Sequence, residues 1–296
     1  MIAPMGIDFA SILIDLLSGL ATGMFLFVVA SGLTIIFGTL GILNFAHGCI
    51  FMIGAYVTWN LMQVLPGVLG LYWVAAILAG IVVVIVAIVI EILLLRRIYQ
   101  AEGLYQLLLT FGLVFVLTGS AQEIWGTDAK MITVPTFIRG SLMLFGKVFP
   151  TYYVFLILFG VFLSLALWFF LRKTSLGKVA RASAMDREIT ETLGINVPAV
   201  FTVVFCIGSF VAALAGGIGT GMRAITLNLG LDTVLICFVI VVSGGAKSLR
   251  GTFVASLILG LCDSFVGHYS QELSMFVPYF FLAVVLLTRP EGLFRR

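Results

Sequence analysis

The chain has 296 residues, of which 62% are hydrophobic and only 10% are charged. A typical soluble domain carries about 25% charged and about 45–50% apolar residues, so this composition excludes an ordinary water-soluble domain and points to lipid as the solvent. The formal net charge is only +3. No basic stripe with interleaved aromatic residues is present, and we therefore expect no nucleic-acid partner.

The apolar residues are grouped into segments of membrane-spanning length. A helix needs about 20 apolar residues to cross a bilayer. The sequence predicts an all-α, polytopic transmembrane helical bundle of about 8–10 spans, built as a single transmembrane domain over residues 1–296. The predicted spans are 11–37, 45–64, 71–95, 104–121, 151–171, 198–219, 229–243, 252–268 and 274–288.

The cysteines give no sign of metal or disulfide chemistry. All four lie in apolar or glycine-rich stretches, and none belongs to a CxxC pair. Such residues are typical of small membrane-embedded thiols, and we expect no metal site and no cofactor. The first 11 residues contain no Lys or Arg, which predicts that the first apolar run is a retained helix rather than a cleaved signal peptide.

The basic residues predict which ends of the spans face the cytoplasm. No Lys or Arg precedes Arg96, and most of the later ones are concentrated in four regions of the chain. An even number of predicted spans separates each region from the next, so all four share one side, which the positive-inside rule makes the cytoplasm. The C-terminus is then cytoplasmic. The four regions are 96–97, 172–187, 247–250 and 289–296.

One apolar run near the N-terminus, residues 31–48, is rich in glycine and polar side chains. Each glycine weakens a helix interior by about 1 kcal/mol, so the run predicts an interrupted helix near residues 32–48. Interrupted helices in transporters offer backbone groups to a solute, but glycine and Asn or His also serve close helix packing, and both readings stay open. Asn44 and His47 would share one face if this piece is helical. The candidate solute-pathway residues are Thr34, Gly38, Gly41, Asn44, His47 and Gly48.

Two connections between predicted spans are long. Residues 122–150 are predicted on the outer face, and residues 172–197, the most polar stretch, on the inner face. In the inner stretch Thr174 or Ser175 can cap a short helix, and Gly194 is a plausible helix stop. This stretch is either a handle for a partner subunit or a solvated surface loop.

The segment GLTIIFGTLGILNFAHGCIFMIGAY, residues 32–56, resembles the signature of permease subunits of branched-chain amino acid type ABC importers. This family also includes permeases for urea, short amides and aromatic acids. The resemblance recurs in the inner stretch and in the terminal run 287–294, and so covers most of the chain. Cys49 stands where an acidic residue is common in such permeases.

The resemblance implies a transmembrane permease subunit of an ATP-binding-cassette importer in a bacterial cytoplasmic (inner) membrane. Its solute would be a branched-chain or other amino acid, an amide or a small carboxylate. Its partners would be a second homologous permease subunit, two ATPase subunits and a periplasmic solute-binding protein. In this family the inner loop carries a coupling helix that docks on the ATPase, and the matching positions are Gly177, Arg181, Ala182, Asp186, Gly194 and Asn196.

The chain itself is not expected to be an enzyme. It has no GxxxxGK[ST] phosphate loop, so ATP hydrolysis belongs to separate subunits. Only two histidines occur, and there is no HExxH or GxSxG motif, which disfavours a membrane-embedded enzyme. The alternative function is a secondary transporter or channel acting without an ATPase. It would call for ionisable residues at membrane depth, and the candidates are Asp15, Glu91, Asp232 and Asp263.

Overall fold

The computed structural model describes residues 9–64, 71–135, 138–144 and 146–294. The described chain is a bundle of α-helices, which confirms the predicted fold class, and its strands form one antiparallel hairpin in the loop before α5. The helices are α1 (Phe9–Leu40), α2 (His47–Val64), α3 (Leu71–Leu93), α4 (Gly103–Trp125), α5 (Thr151–Lys173), α6 (Ser175–Met185), α7 (Arg187–Thr192), α8 (Val197–Gly219), α9 (Leu229–Gly244), α10 (Leu249–Tyr269), α11 (Gln271–Ser274) and α12 (Val277–Thr288), with a 3₁₀ turn at Leu95–Ile98 and strands β1 (Ser141–Leu144) and β2 (Lys147–Pro150).

The predicted spans all coincide with helices. Within the described residues, six helices are long and apolar enough to cross a membrane: α1, α3, α4, α5, α8 and α10. Helices α9 and α12 are shorter but equally apolar. The segment predicted at 45–64 corresponds to α2, which begins inside the bundle rather than at its end. The chain is thus a multi-pass membrane protein.

Helices α1 and α8 form the centre of the bundle, because small residues let their neighbours approach closely. A Cβ atom added to Gly23 of α1 would lie 2.9 Å from the backbone oxygen of Ser256 on α10. A Cβ added to Gly216 of α8 would lie 2.0 Å from the backbone oxygen of Phe51 on α2. These contacts confirm that the glycine-rich part of α8 packs tightly against its neighbours.

The basic regions meet at one end of the bundle, as the span count predicts. Arg96 donates to Thr202 in the second turn of α8, and Arg172, Lys247 and Arg250 line one cavity. We call this end the basic face. At the opposite end Lys147 of β2 donates to Ser11 of α1. Helix α1 therefore runs from the opposite face to the basic face.

Two long helices are each followed by a break and a shorter helix that runs back. In the first unit α1 runs to the basic face, residues 41–46 form the break, and α2 runs away from that face. In the second unit α8 runs from the basic face, residues 220–228 form the break, and α9 returns to it. Ile225, in the second break, pairs with Lys130 of the loop after α4. The two units thus have inverted topology, an arrangement common in transporters.

Candidate functional site

The first break confirms the predicted interrupted helix. Helix α1 ends at Leu40, and Gly41 follows with φ +74°, a left-handed conformation that favours glycine. The Asn44 Oδ1 atom accepts a hydrogen bond from the backbone N–H of Ala46 at 3.1 Å, and α2 then begins at His47. Because residues 41–44 are not helical, Asn44 and His47 do not share a helical face.

This break lies inside the protein. The His47 Nε2 atom is 3.2 Å from the backbone oxygen of Val29, which lies eleven residues before the end of α1. At 1.5 Å per residue, α2 therefore starts about 16 Å along the α1 axis from the point where α1 ends. Thr110 of α4 donates a hydrogen bond at 3.2 Å to the backbone oxygen of Leu43, which lies in the non-helical break. Irregular backbone at such depth is tolerated because protein encloses it and supplies hydrogen bonds.

The first turns of α2 and α9 meet in the interior. A Cβ on Gly48 would lie 1.9 Å from the backbone oxygen of Gly230, so only glycine permits this contact. The ring of Phe45, in the break, lies 4.5 Å from that of Phe238 on α9. The first break is therefore packed on the short helix of the second unit, and the two short helices meet at their first turns.

The predicted pathway residues occupy two places rather than one. Asn44, His47 and Gly48 lie in the core at the junction of α2 and α9, each buried. Thr34 and Gly38 line a cavity nearer the basic face, where the Thr34 hydroxyl also lies 2.8 Å from that of Thr252. Within the described residues, no hydrogen-bond partner is found for the buried Asn44 Nδ2 and His47 Nδ1 atoms. The junction therefore retains spare polar capacity.

The cavity on the basic face has a volume of about 230 Å³. Helices α1, α5 and α6 and the turn between α9 and α10 form its walls. It brings Thr34 and Gly38 beside Arg181 of α6, so it joins a candidate pathway segment to the candidate coupling segment. The complete lining is Thr34, Ile35, Gly38, Thr39, Trp168, Leu171, Arg172, Arg181, Lys247, Ser248, Leu249, Arg250 and Phe294.

The stretch 172–197 folds into the two short helices α6 and α7, and its sequence supplies their caps. Thr174 Oγ1 accepts from the Gly177 N–H at 3.0 Å, which confirms the predicted cap. Asp186 Oδ1 accepts from the Ile189 N–H at 3.0 Å and so caps α7. Gly194, with φ +81°, follows the end of α7, as predicted. Asn196 Oδ1 then caps α8 through the Ala199 N–H.

Gly177 anchors this stretch to the bundle. A Cβ at that position would lie 2.2 Å from the backbone oxygen of Phe170, so α6 turns back directly against the end of α5. Ala182 accepts the backbone N–H of Asp186 at 3.0 Å and is itself exposed. The candidate coupling residues thus shape one rigid, capped segment at the basic face.

Large apolar side chains point outward from this otherwise polar segment. Met185 is 90% exposed and Leu193 is 74% exposed. Leu176 and Ile189 are also exposed. Apolar side chains gathered on an exposed surface mark an interaction site more often than a solvated loop.

A buried polar network connects α3 to the start of α8. The Glu91 carboxylate is fully buried and accepts from Arg96 at 3.2 Å, Thr202 at 2.9 Å and Tyr99 at 2.5 Å. Burial raises the pKa of Tyr99, and the Glu91 carboxylate raises it further, so the phenol stays protonated and donates. The Tyr99 ring packs edge-on against Phe201 of α8. The Glu91 carboxylate therefore has a structural role, because it holds α3, the turn after it and α8 together.

Two other acidic candidates also have local partners. Asp15 lies 3.2 Å from His268, and Asp263 accepts from Ser274. These contacts tie α1, α10 and α11 together near the opposite face. Both carboxylates therefore have partners within the protein, as expected of residues with a structural role.

Sequence reasoning missed the second break and the shared cavity. In the sequence, the second break contains only Thr220 and Gly221 after α8 and Asn228 before α9 as turn-forming residues. This pattern predicts an ordinary loop between two spans. Arg172, Lys247 and Arg250 were assigned to a cytoplasmic face, but their convergence depends on the packing of helices distant in sequence.

Comparison with known proteins gives the same family from a family model and from individual relatives. The family model described as the permease component of branched-chain amino acid transport systems matches residues 16–286. The high-affinity branched-chain amino acid transport system permease protein BraD of Pseudomonas aeruginosa is 30% identical, with 95% of each chain covered. The corresponding LivH protein of Escherichia coli K12 is 29% identical, with 98% of this chain and 97% of LivH covered.

A more distant relative is the probable branched-chain amino acid transport permease protein LivH of Methanocaldococcus jannaschii, 26% identical over 82% of this chain and 78% of its own. No solved structure matches the chain. The family model covers nearly all of the helical bundle, including both breaks and the capped segment. The chain therefore belongs to the family of permease components of branched-chain amino acid transport systems.

Proposed function

We propose that this chain is the permease subunit of an ABC importer that moves a small solute from periplasm to cytoplasm across a bacterial inner membrane. The solute is a branched-chain or other amino acid, an amide or a small carboxylate. A second homologous permease completes the pore, a periplasmic binding protein delivers the solute, and two separate ATPases hydrolyse ATP. The basic face and the C-terminus are cytoplasmic.

The observation that carries this proposal is the capped segment 174–196 with its outward apolar side chains. Met185 and Leu193 have no reason to face water on an otherwise polar surface unless a partner covers them. Gly177 holds the segment against α5, so a push on α6 moves the membrane helices rather than bending a loose loop. An ATPase docked here therefore drives the permease between its two open states.

The solute pathway follows the first break. Thr34, Gly38 and Gly41 border its basic-face side, and Asn44, His47 and Gly48 lie at the junction with α9. Asn44 Nδ2 and His47 Nδ1 offer polar groups that no protein atom in the described chain uses. In this proposal the junction is closed in the present conformation and opens when the ATPases move α6.

Charge reversal in the capped segment tests the coupling role. In the reconstituted importer, Arg181→Glu and Asp186→Lys are each expected to reduce solute uptake by about tenfold or more, because a reversed charge at a docking surface is repelled. ATP hydrolysis and membrane insertion are measured on the same samples. We expect hydrolysis to persist while uptake is lost.

The matched controls are Arg97→Glu and Glu102→Lys, which reverse exposed charges outside the capped segment and should leave uptake normal. Asp186→Asn separates charge from capping, because Asn caps a helix as well as Asp. Normal uptake in both Arg181→Glu and Asp186→Lys would refute the coupling role.

Replacing the two polar residues of the junction tests the pathway. We expect Asn44→Ala and His47→Ala each to slow uptake by roughly three- to tenfold, because each removes one polar interaction from the moving solute. The affinity of the binding protein for solute is measured in parallel and should stay unchanged. Ser256→Ala, another buried polar position, is the control. Unaltered uptake in both variants would leave only a packing role for these side chains.

Purification tests the assembly itself. The chain should co-purify with a second permease and two ATPases, and transport in proteoliposomes should need ATP inside. Transport by the chain without an ATPase would instead favour a secondary transporter or channel.

A further inference from the structure

The cavity on the basic face is strongly cationic. Arg172, Arg181, Lys247 and Arg250 all line it, and no Asp or Glu is among its described lining residues. Within the described residues, no ion pair joins any of the four to a carboxylate. Four like charges around about 230 Å³ create a positive potential that attracts an anion.

The geometry suits the oxygens of a phosphate. The lining includes Ser248 and the first residues of α10, a helix of 21 residues whose N-terminus adds positive potential and backbone donors. Arginine side chains provide forked donors that match phosphate oxygens, and lysine provides a point charge. The cavity thus combines both kinds of phosphate contact with a helix N-terminus.

Apolar side chains make up much of the remaining lining of the cavity, beside Thr34 and Thr39. Ile35, Leu171, Leu249 and Phe294 line it, together with Trp168, which is 41% exposed. Trp is enriched at the headgroup level of membranes, because its ring is apolar and its N–H is polar. On α5, Leu165, one turn before Trp168, is 62% exposed, and Phe169, the next residue, is 58% exposed, so lipid chains can cover this side of the helix.

We propose that this cavity binds the phosphate of an anionic phospholipid from the leaflet at the basic face. The cations and the start of α10 hold the headgroup, and the acyl chains lie along the exposed side of α5. A free phosphate shares the headgroup chemistry, but it would leave the apolar walls and the exposed α5 surface without a role. Because α6 forms one wall, the lipid also braces the capped segment against α1.

The experiment measures lipid retention by the intact transporter. The complex is purified in mild detergent and exchanged with dioctanoyl phosphatidylglycerol or dioctanoyl phosphatidylcholine, and bound lipid is counted by native mass spectrometry. We expect phosphatidylglycerol to be retained over phosphatidylcholine. In Lys247→Gln/Arg250→Gln its affinity should fall by roughly 30-fold, because each basic residue near the surface strengthens anionic-lipid binding by about fivefold.

The control Lys173→Gln/Lys178→Gln removes the same charge from exposed positions that do not line the cavity. Its retention of phosphatidylglycerol should match the unmodified complex. Equal retention of the two lipids, or equal loss in the two double variants, would overturn the proposal. Displacement of the lipid by millimolar inorganic phosphate at constant ionic strength would assign the site to a soluble anion instead. Binding only after the ATPases are stripped away would assign the cavity to an ATPase segment.

Discussion

Gly48→Ala is expected to abolish stable folding of the bundle. The added Cβ would lie 1.9 Å from the backbone oxygen of Gly230 and 2.9 Å from its carbonyl carbon. Backbone atoms cannot rotate away as a side chain can, so α2 and α9 would have to separate. Overpacking in a core costs about 1–3 kcal/mol when side chains absorb it, and we expect at least the upper end here. The measurement is the yield of monodisperse protein and its thermal midpoint in detergent.

Gly112→Ala is the matched control. Gly112 lies inside α4, and an added Cβ there meets nothing within 4 Å. Alanine is favoured over glycine in a helix by about 1 kcal/mol, so this variant should be as stable as the parent or slightly more so. Equal midpoints for the two variants would show that the junction of α2 and α9 is not tightly packed in the protein.

Arg96→Ala is expected to lower the free energy of unfolding by about 3–5 kcal/mol, because it leaves a buried carboxylate without its cation. Glu91 is 0% exposed, and Arg96 contacts both of its carboxylate oxygens, at 3.3 and 3.2 Å. The same substitution also removes a donor to Thr202 of α8. Thermal unfolding of the purified protein, followed by loss of the monodisperse peak, measures the effect.

The neighbouring Arg97 provides the control, since it is exposed and makes no ion pair with a described carboxylate. Arg97→Ala removes the same charge and should change stability by less than about 1 kcal/mol. The double variant Glu91→Leu/Arg96→Leu should recover part of the loss, because no unpaired charge then remains. A double variant less stable than Arg96→Ala would contradict the assignment of the loss to an uncompensated carboxylate.

The Glu91 network also bears on how movement of the capped segment reaches the core. Arg187 of α7 lies over the Phe201 ring at 6.0 Å, and Phe201 packs against Tyr99, which donates to Glu91. A continuous set of contacts therefore runs from α7 through α8 to α3. In the proposed coupling role, these contacts carry a displacement of the capped segment to α3.

Local sequence features predicted the cap at Thr174 and the helix stop at Gly194, but not the division into two helices or the caps at Asp186 and Asn196. Thr174, Asp186 and Asn196 each accept the N–H three residues later, and Gly194 adopts a left-handed conformation. Caps and helix stops depend on a few adjacent residues, so the sequence carries them directly. The outward position of Met185 was not predicted, because exposure depends on which face α5 and α8 cover.

The first break shows where local reasoning stops. The glycines and polar residues of 32–48 predicted an interruption, and Gly41 supplies it. They did not predict that α2 starts beside Val29, since that contact joins residues eighteen positions apart through a returning chain. Asn44 and His47 would share a face only if this piece were helical, and that condition is not met, because Asn44 lies outside the helix and caps the turn.

The sequence alone determined that lipid is the solvent of this chain, where its helices lie, and that its basic residues gather at one end. These properties follow from composition, segment length and charge order, which need no knowledge of distant contacts. Only the tertiary structure decided that two inverted units meet at Gly48 and Gly230, and that Arg172, Arg181, Lys247 and Arg250 surround one cavity. Those arrangements depend on helix packing between segments far apart in the chain, and packing is set by the fit of whole surfaces rather than by any local pattern.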